Sequence, residues 1–272
     1  MGVLENPRSP RVRAVAKLTK RSARAETGLF LLEGPQAVRE VLAYHPDAVE
    51  ELFATPTAWE KHADLRGAAA EHDVEVEFVS EQVLSAMADT VTPQGVIAVV
   101  RQTPTSVRDV FDGAPRLVAI CEQVRDPGNL GTIIRAADAA GADAVVLTGR
   151  TVDPYNPKVV RSTTGSLFHL PVSVGGDLAD VIGRARGAGL TVLAADVKGD
   201  DLLAARADGG LDGPTAWLFG NEARGLDDDA LALADRALKL PIFGKAESLN
   251  LATAASVCLY ESAFSQRAAA SD

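Results

Sequence analysis

Aromatic residues and cysteines are scarce in this chain, and long apolar runs are absent. Only 5% of its 272 residues are aromatic, so the core has to be built from Val, Leu, Ile and Ala. Cys121 and Cys258 each lie inside an apolar run, which is typical of buried thiols in a reducing compartment. The N-terminus has no apolar signal region, and no apolar run approaches membrane-spanning length. These absences predict a soluble cytoplasmic protein.

Two kinds of site motif are also missing. No His/Cys cluster has the spacing of metal ligands, so no metal is predicted. No Gly-x-Gly-x-x-Gly run follows a predicted strand, which argues against a nucleotide-linked oxidoreductase on a doubly wound sheet. What remains is a chain of ordinary globular composition, long enough for two domains.

Negative charge dominates the chain, but positive charge dominates its start. The net charge of −10 argues at first against a nucleic-acid partner. The first 24 residues nevertheless form a basic N-terminal arm, in which Glu5 is the only acid. Such an arm can collect phosphates, although a solvated helix face is an equally good interpretation of the charges alone. The predicted RNA contacts are Arg8, Arg11, Arg13, Lys17, Lys20, Arg21 and Arg24.

Residues 25–101 predict a small α/β domain without a catalytic constellation. Short apolar strands, the first over residues 28–33, alternate with helices, the first of which starts at Pro35. Residues 102–116 are rich in Pro, Thr, Ser, Asp and Gly and predict a linker.

Residues 117–267 predict a second α/β domain, followed by an Ala-rich tail over 268–272. Apolar strands alternate with helices from Leu117 onwards, which indicates a parallel sheet covered on both faces. The fold class is therefore α/β in both domains.

Three polar motifs lie at predicted strand-to-helix junctions of the second domain. They are Asp126-Pro-Gly-Asn-Leu-Gly-Thr-Ile-Ile-Arg135, Leu218-Phe-Gly-Asn-Glu-Ala-Arg-Gly-Leu226 and the stretch from Lys239 to Ala255. In the third motif a strand stops at Pro241 and a long helix follows. Asn129 and Ser248 are predicted N-caps of the helices after the first and third motifs.

The three motifs, in this order, resemble those of the SpoU/TrmH family of RNA ribose methyltransferases in the SPOUT superfamily. The resemblance implies a C-terminal SPOUT domain with a deep trefoil knot and a homodimer formed through the knotted domain. It also implies S-adenosylmethionine as methyl donor and a ribose 2′-hydroxyl as acceptor. The alternation in residues 25–101, with its Phe-Leu-Leu-Glu-Gly run, resembles the L30e-like substrate-binding domain of many rRNA-modifying members.

The resemblance also assigns the site. It implies cofactor contacts from groups around Leu218, Gly220, Leu240, Ile242 and Leu249. The implied catalytic residues are Arg135, Asn129, Glu222, Ser248 and Asn250, with Arg135 acting on the ribose hydroxyl. Because a guanidinium gives up its proton poorly, holding phosphate and ribose suits Arg135 better than acting as a base. The alternatives for Asn129 and Glu222 are a helix cap and a solvated loop carboxylate.

Three hypotheses share this fold. The leading one is an rRNA 2′-O-methyltransferase whose first domain contributes to substrate choice. A tRNA enzyme is the second, although the separate first domain argues for rRNA. A non-catalytic RNA-binding or ribosome-assembly protein is the third, and the joint presence of the five polar residues argues against it.

Overall fold

The chain folds into two units, each of which is built from two separate stretches of the sequence. The structure, a computed structural model, describes residues 2–270. The first unit contains the residues up to Thr103 together with Asp153–His169, and the second contains Pro104–Val152 and the residues from Leu170. Residues 153–169 therefore belong to the first unit, although the predicted boundaries placed them within 117–267.

Helices and strands alternate in both units. Up to residue 103 they are α1 (Pro10–Lys17), α2 (Arg21–Thr27), β1 (Leu29–Glu33), α3 (Pro35–Tyr44), β2 (Val49–Ala54), α4 (Pro56–Lys61), α5 (Ala63–Glu71), β3 (Val76–Phe78), α6 (Glu81–Met87) and β4 (Val96–Arg101). The later elements are α7 (Val107–Asp112), β5 (Leu117–Glu122), α8 (Pro127–Ala140), β6 (Ala144–Thr148), α9 (Pro157–Thr163), β7 (Val172–Val174), α10 (Leu178–Gly187), β8 (Thr191–Asp201), α11 (Leu202–Ala207), β9 (Thr215–Phe219), α12 (Asp228–Ala232), β10 (Arg236–Lys239) and α13 (Leu251–Ala269).

The first unit is built on a four-stranded mixed sheet in the order β1-β4-β2-β3. Strand β4 pairs antiparallel with β1 and β2, and β3 pairs parallel with β2. Alternate residues of β4 point to opposite faces, so Val96 and Ala98 join one apolar cluster while Ile97 and Val99 join the other. Both faces of this sheet are therefore covered.

The predicted basic arm is part of this core and not a separate arm. Helix α1 buries Val12 and Val15, which pack with Leu31 of β1 and Met87 of α6. The amphipathic spacing of α1 leaves its basic residues on the outer face. Residue 1 lies outside the described residues, as do residues 271 and 272 of the predicted tail, whereas Ala268 and Ala269 continue α13.

Arg24 requires a correction, because it is buried and cannot contact RNA. It is only 1% exposed, and its guanidinium donates to Asp153 Oδ2 at 2.6 and 2.8 Å. It also donates to the carbonyls of Leu18 and Thr19 at 2.8 and 2.9 Å. These bonds compensate the loss of hydration of a buried charge and tie α1 and α2 to the segment after β6.

The second unit carries a six-stranded sheet in the order β10-β8-β9-β5-β6-β7, and every pair in it is parallel. The expectation of a parallel α/β sheet is confirmed. The carboxyl ends of β5 and β9 lie side by side, with Cys121 paired to Phe219. Residues that follow these two strands therefore meet at one edge of the sheet.

Helices cover both faces of this sheet. Helix α13 packs against α8, β5 and β9, and the Trp217 indole of β9 donates to Ser262 Oγ of α13 at 2.9 Å. The other face holds α7 and α10. Helix α7 lies inside the predicted linker, and it forms because Ser106 caps it and Val110 and Phe111 are buried against the sheet.

Other boundaries differ by small amounts from those predicted from the sequence. Strand β8 extends to Asp201, and a break at His62 separates α4 from α5. No helix in the described part of the chain is long and apolar enough to cross a membrane. The trefoil knot stays a prediction.

We expect Arg24→Ala to lower the free energy of unfolding by about 3 kcal/mol or more, because it leaves the Asp153 carboxylate and two carbonyls without their donor. Urea denaturation measures the change. Arg21→Ala on the same helix is the control, since Arg21 is exposed and should shift stability by less than about 0.5 kcal/mol. Equal effects of the two substitutions would contradict the structural role of Arg24.

Candidate active site

The second polar motif forms a tight loop directly after β9. Asn221 N donates to Gly225 O at 3.1 Å, and Gly225 N donates back to Asn221 O at 2.8 Å. Position 220 has no room for a side chain, because a Cβ there would lie 2.5 Å from the carbonyl carbon of Gly225. Gly220 thus lets the loop fold back on itself and present Glu222 at the carboxyl edge of the sheet.

The Glu222 carboxylate joins this loop to the first motif. It accepts from Asp126 N at 2.9 Å and from Arg125 N at 3.1 and 3.2 Å. Asn221 adds a second link, because its Nδ2 donates to Gln123 O at 2.9 Å. The loops after β5 and β9 are therefore fixed to each other by side chains, beyond the pairing of their strands.

Asn129 extends the network from the second motif to the third. Its Nδ2 donates to Glu222 Oε1 at 3.4 Å, and its Oδ1 accepts from Asn250 Nδ2 at 3.0 Å. The amide orientation of Asn129 is thus determined by a carboxylate on one side and an amide donor on the other. Three of the five predicted catalytic residues, Asn129, Glu222 and Asn250, form one hydrogen-bonded chain.

The two predicted helix caps are wrong. Asp126 caps α8 by accepting from Asn129 N at 2.8 Å, so the Asn129 side chain is available for the network. Asn250, not Ser248, caps α13, since its Oδ1 accepts from Ala252 N at 2.9 Å and from Thr253 N at 3.3 Å. Asn250 therefore both starts its helix and bonds to Asn129.

A cavity of about 370 Å³ lies beside this network. Its walls come from the middle of β8, the second motif, the end of β10, the loop after it and the start of α13. Three acidic and three basic side chains are among its lining residues, and much of the remaining wall is apolar. The charged ones are Asp196, Glu222, Glu247, Lys198, Arg224 and Lys239.

The predicted cofactor contacts divide into two groups. Leu240, Ile242 and Leu249 line the cavity, and so does Ser248. The Leu218 side chain is fully buried in the core of the sheet, so only its backbone is left for a contact. Gly220 shapes the motif-two loop and is not part of the cavity wall.

Arg135 lies apart from the network. It is exposed on α8 and makes no hydrogen bond or ion pair with any residue that the structure describes. Six residues separate it from Asn129, which is a rise of about 9 Å and a rotation that places the two on different faces of the helix. One chain alone does not bring Arg135 together with Asn129, Glu222 and Asn250.

Several charged residues at this edge were not predicted from the sequence. Arg125 follows β5 and is exposed with its backbone fixed by Glu222, while Arg224 donates to Gln123 Oε1 at 3.3 Å. Asp196 and Lys198 belong to the cavity wall. No sequence signal marked Asp196 and Lys198, because the strand order that places β8 beside β9 is seen only in the structure.

The two cysteines are buried and supply no reactive thiol. Burial raises the pKa of the Cys121 thiol to about 12, and the nearby Glu222 charge acts in the same direction. Burial also raises the pKa of Cys258. Both thiols are therefore protonated and unreactive at neutral pH. No group of three or more His, Cys, Asp or Glu residues suitable for a metal occurs among residues 2–270.

The predicted RNA contacts at the N-terminus differ in their availability. Arg11 pairs with Glu51 and Glu77 and lies 5.1 Å from the Phe53 ring, so its charge is largely compensated. The others, apart from the buried Arg24, are exposed and have no side-chain partner among the described residues. They are Arg8, Arg13, Lys17, Lys20 and Arg21.

Polar residues of three motifs, joined beside a cavity at the carboxyl edge of a parallel sheet, suit a transferase that binds a small-molecule donor. The model of the SpoU rRNA Methylase family matches residues 116–260, and that of the MRM3-like substrate binding domain matches residues 9–98. The chain belongs to the SpoU rRNA methylase family.

Curated and solved relatives match along nearly the whole chain. The 23S rRNA (guanosine(2553)-2′-O)-methyltransferase RlmP of Bacillus subtilis is 34% identical, over 96% of this chain and 98% of its own length. The crystal structure of an AdoMet-bound rRNA methyltransferase from Sinorhizobium meliloti superposes with a TM-score of 0.82 at 32% identity, covering 96% of this chain and 97% of that one. The SpoU methyltransferase AviRb from Streptomyces viridochromogenes, in complex with AdoMet, gives 0.81 at 30% identity and covers 96% and 100%.

We expect Glu222→Gln to loosen the loop after β5. Both oxygens of the carboxylate accept hydrogen bonds from the Arg125 and Asp126 amides, whereas a glutamine side chain has only one acceptor oxygen. Hydrogen–deuterium exchange at the amides of Arg125 and Asp126 should accelerate about fivefold, which corresponds to the loss of roughly one hydrogen bond. The exposed Glu247→Gln is the control and should leave these amides unchanged. Unchanged exchange in Glu222→Gln would show that the network does not hold the loop.

Proposed function

We propose that the protein transfers a methyl group from S-adenosylmethionine to a ribose 2′-hydroxyl of ribosomal RNA. The observation that carries this proposal is the hydrogen-bonded chain Glu222–Asn129–Asn250, which joins all three motifs beside the cavity. The chain is an RNA 2′-O-methyltransferase of the SpoU family.

The cavity fits the methyl donor. Its volume of about 370 Å³ lies in the usual range of small-molecule sites. Leu240, Ile242 and Leu249 supply the apolar surface that an adenine ring needs. Acidic and basic lining groups in equal number suit a ligand that carries an ammonium, a carboxylate and a sulfonium. When bound, the sulfonium supplies the electrophilic methyl group.

The chain's own residues position the acceptor. An in-line methyl transfer needs a fixed ribose oxygen and a route for its proton. Ser248 lines the cavity and can hold the ribose, next to Asn250, whose amide is oriented by Asn129. Arg135 holds the phosphate next to the reacting ribose, since a guanidinium binds phosphate strongly and releases its proton poorly.

Ribosomal RNA is the substrate class that both units support. The substrate-binding domain model covers most of the first unit, and RlmP, an enzyme named for 23S rRNA, matches across both units. The exposed cations Arg8, Arg13, Lys17, Lys20 and Arg21 give the first unit a surface for the RNA backbone. We place the enzyme in the cytoplasm, in agreement with two unpaired buried cysteines.

A homodimer completes the proposal. Helix α13 exposes Val257 and Phe264, at 38% and 51%, and the ring of Tyr260 lies 5.5 Å from that of Phe264. The Tyr260 hydroxyl donates to Ala139 O of α8 at 3.3 Å, so this apolar stripe adjoins the helix that carries Arg135. Pairing through this stripe places Arg135 near the partner subunit. Each chain of the dimer also forms the trefoil knot of its family.

We expect label from methyl-labelled S-adenosylmethionine to appear in a 2′-O-methylribonucleoside of rRNA and not of tRNA. Arg135→Ala should lower the rate by about 100-fold or more, because a phosphate that is no longer held leaves the ribose out of line for transfer, while calorimetry shows unchanged cofactor affinity. The exposed Arg184→Ala on α10 is the matched control and should retain full activity. Label in tRNA alone would overturn the choice of substrate, and full activity of Arg135→Ala would remove Arg135 from the mechanism.

We also expect Val257→Asp to convert the dimer to a monomer, because a charge in an apolar interface loses its hydration. Light scattering after size-exclusion chromatography measures the mass. Val174→Asp, at another exposed valine of the same unit, is the control and should leave the dimer intact. A Val257→Asp protein that stays dimeric would exclude the α13 stripe as the interface.

A further inference from the structure

The first unit contains a cavity of about 300 Å³, separate from the candidate active site. Its wall combines the junction of β1 and α3, the loop between α6 and β4, and the face of α9 that carries Val160 and Arg161. Helix α9 lies within the match of the catalytic family model, yet it folds with the first unit. A segment of the catalytic sequence therefore completes a cavity in the substrate-binding unit.

The loop between α6 and β4 is held in a fixed conformation. The Glu33 carboxylate accepts from Asp89 N at 3.0 Å, from Thr90 N at 3.2 Å and from Thr90 Oγ1 at 2.7 Å. The Glu33 side chain is only 6% exposed, so these bonds are protected from water. The cavity is thus formed before any ligand binds, which lowers the entropic cost of binding.

The charges of this cavity do not suit an anion. Arg161 Nη1 lies 2.9 Å from Asp89 Oδ2 and 3.5 Å from Glu33 Oε1. Two carboxylates therefore surround one guanidinium, and the sum is negative. A phosphate placed here would meet more repulsion than attraction. The ligand should be neutral. Arg161 lines the cavity, and its planar guanidinium is a group on which nucleobases stack.

Gln94 supplies a free amide at the cavity. It makes no hydrogen bond to any residue in the described part of the chain. Its Oε1 lies over Gly34, at 2.9 Å from the position that a Cβ would take there. Gly34 has a φ of +92°, so the close approach depends on a glycine. A glutamine amide can donate and accept side by side, which matches the edge of a nucleobase.

The rest of the wall combines apolar side chains with short polar ones. Ala37 and Val160 contribute to the wall, and Val91, in the loop that supplies Thr90, Thr92 and Gln94, is fully exposed. A volume of about 300 Å³ is at the lower limit for ligand sites and excludes a helical stem. The size, the neutral preference and the free amide together describe a site for one planar group.

We propose that this cavity binds a single unpaired nucleobase of the RNA substrate, with the Gln94 amide on its edge and the Arg161 guanidinium against its face. The inference rests on the proposed function, because it requires an RNA substrate. It adds a recognition site in the first unit that selects one extruded nucleotide at a position other than the methylated one.

The test is a double-mutant cycle between the protein and the RNA. The probe is an rRNA fragment that the wild-type enzyme methylates, prepared as a series in which one unpaired nucleotide at a time is abasic. Gln94→Ala should weaken binding of the intact fragment about tenfold. One abasic position should weaken wild-type binding by at least as much, and its effect should be smaller in Gln94→Ala, because the contact between that base and Gln94 is already lost.

Gln82→Ala, an exposed glutamine of α6, is the matched control and should bind every fragment like the wild type. Thr92→Trp, which fills the cavity from its loop, should reproduce the loss seen with Gln94→Ala. Cofactor affinity should be unchanged in all three variants.

The outcomes separate this inference from the proposed function. If the wild-type enzyme methylates the fragment but every abasic effect adds to that of Gln94→Ala, no base occupies the cavity and the inference is wrong. If the wild-type enzyme methylates no RNA, the proposed function itself fails.

Discussion

The Glu222 carboxylate is the group on which the geometry of the candidate site depends. It accepts backbone donors from Arg125 and Asp126 and the side-chain amide of Asn129. Strand pairing alone brings β5 and β9 side by side, but it does not fix the loops that follow them. A charged acceptor does so, since hydrogen bonds to ionised groups are stronger than those between neutral groups. Asn129 in turn accepts a hydrogen bond from Asn250 and so fixes the start of α13.

The sequence predicted which motifs meet, but not which side chain caps each helix. Alternating strands and helices predict a parallel sheet, but the adjacency of β5 and β9, which brings the residues after them together, is seen only in the structure. Each helix start, however, contains two residues able to cap it, Asp126 and Asn129 before α8 and Ser248 and Asn250 before α13. The choice between them depends on tertiary partners, because Asn129 is held by Glu222 and Asn250. Local propensity contains no information about such partners.

Domain boundaries were the other feature that local patterns did not reveal. Residues 153–169 leave the second unit and fold with the first, and Arg24 reaches Asp153 across 129 positions of sequence. A basic residue among six others looks like a phosphate ligand until its burial is known. The helix in the predicted linker was missed for the same reason. Val110 and Phe111 stabilise it only because they are buried against the sheet, and that burial is a tertiary contact.

The candidate site contains two kinds of polar residue: those whose side chains are hydrogen-bonded within the protein, and exposed cations whose side chains are solvated. Glu222, Asn129 and Asn250 use their polar atoms on one another, so they shape the site without needing RNA. Arg135 and Arg125 have exposed side chains without an ion pair among the described residues, and water solvates them at little cost. A guanidinium in water loses hydration when it binds phosphate, but it breaks no internal bond. RNA binding can therefore engage these cations without disturbing the network that positions the ribose.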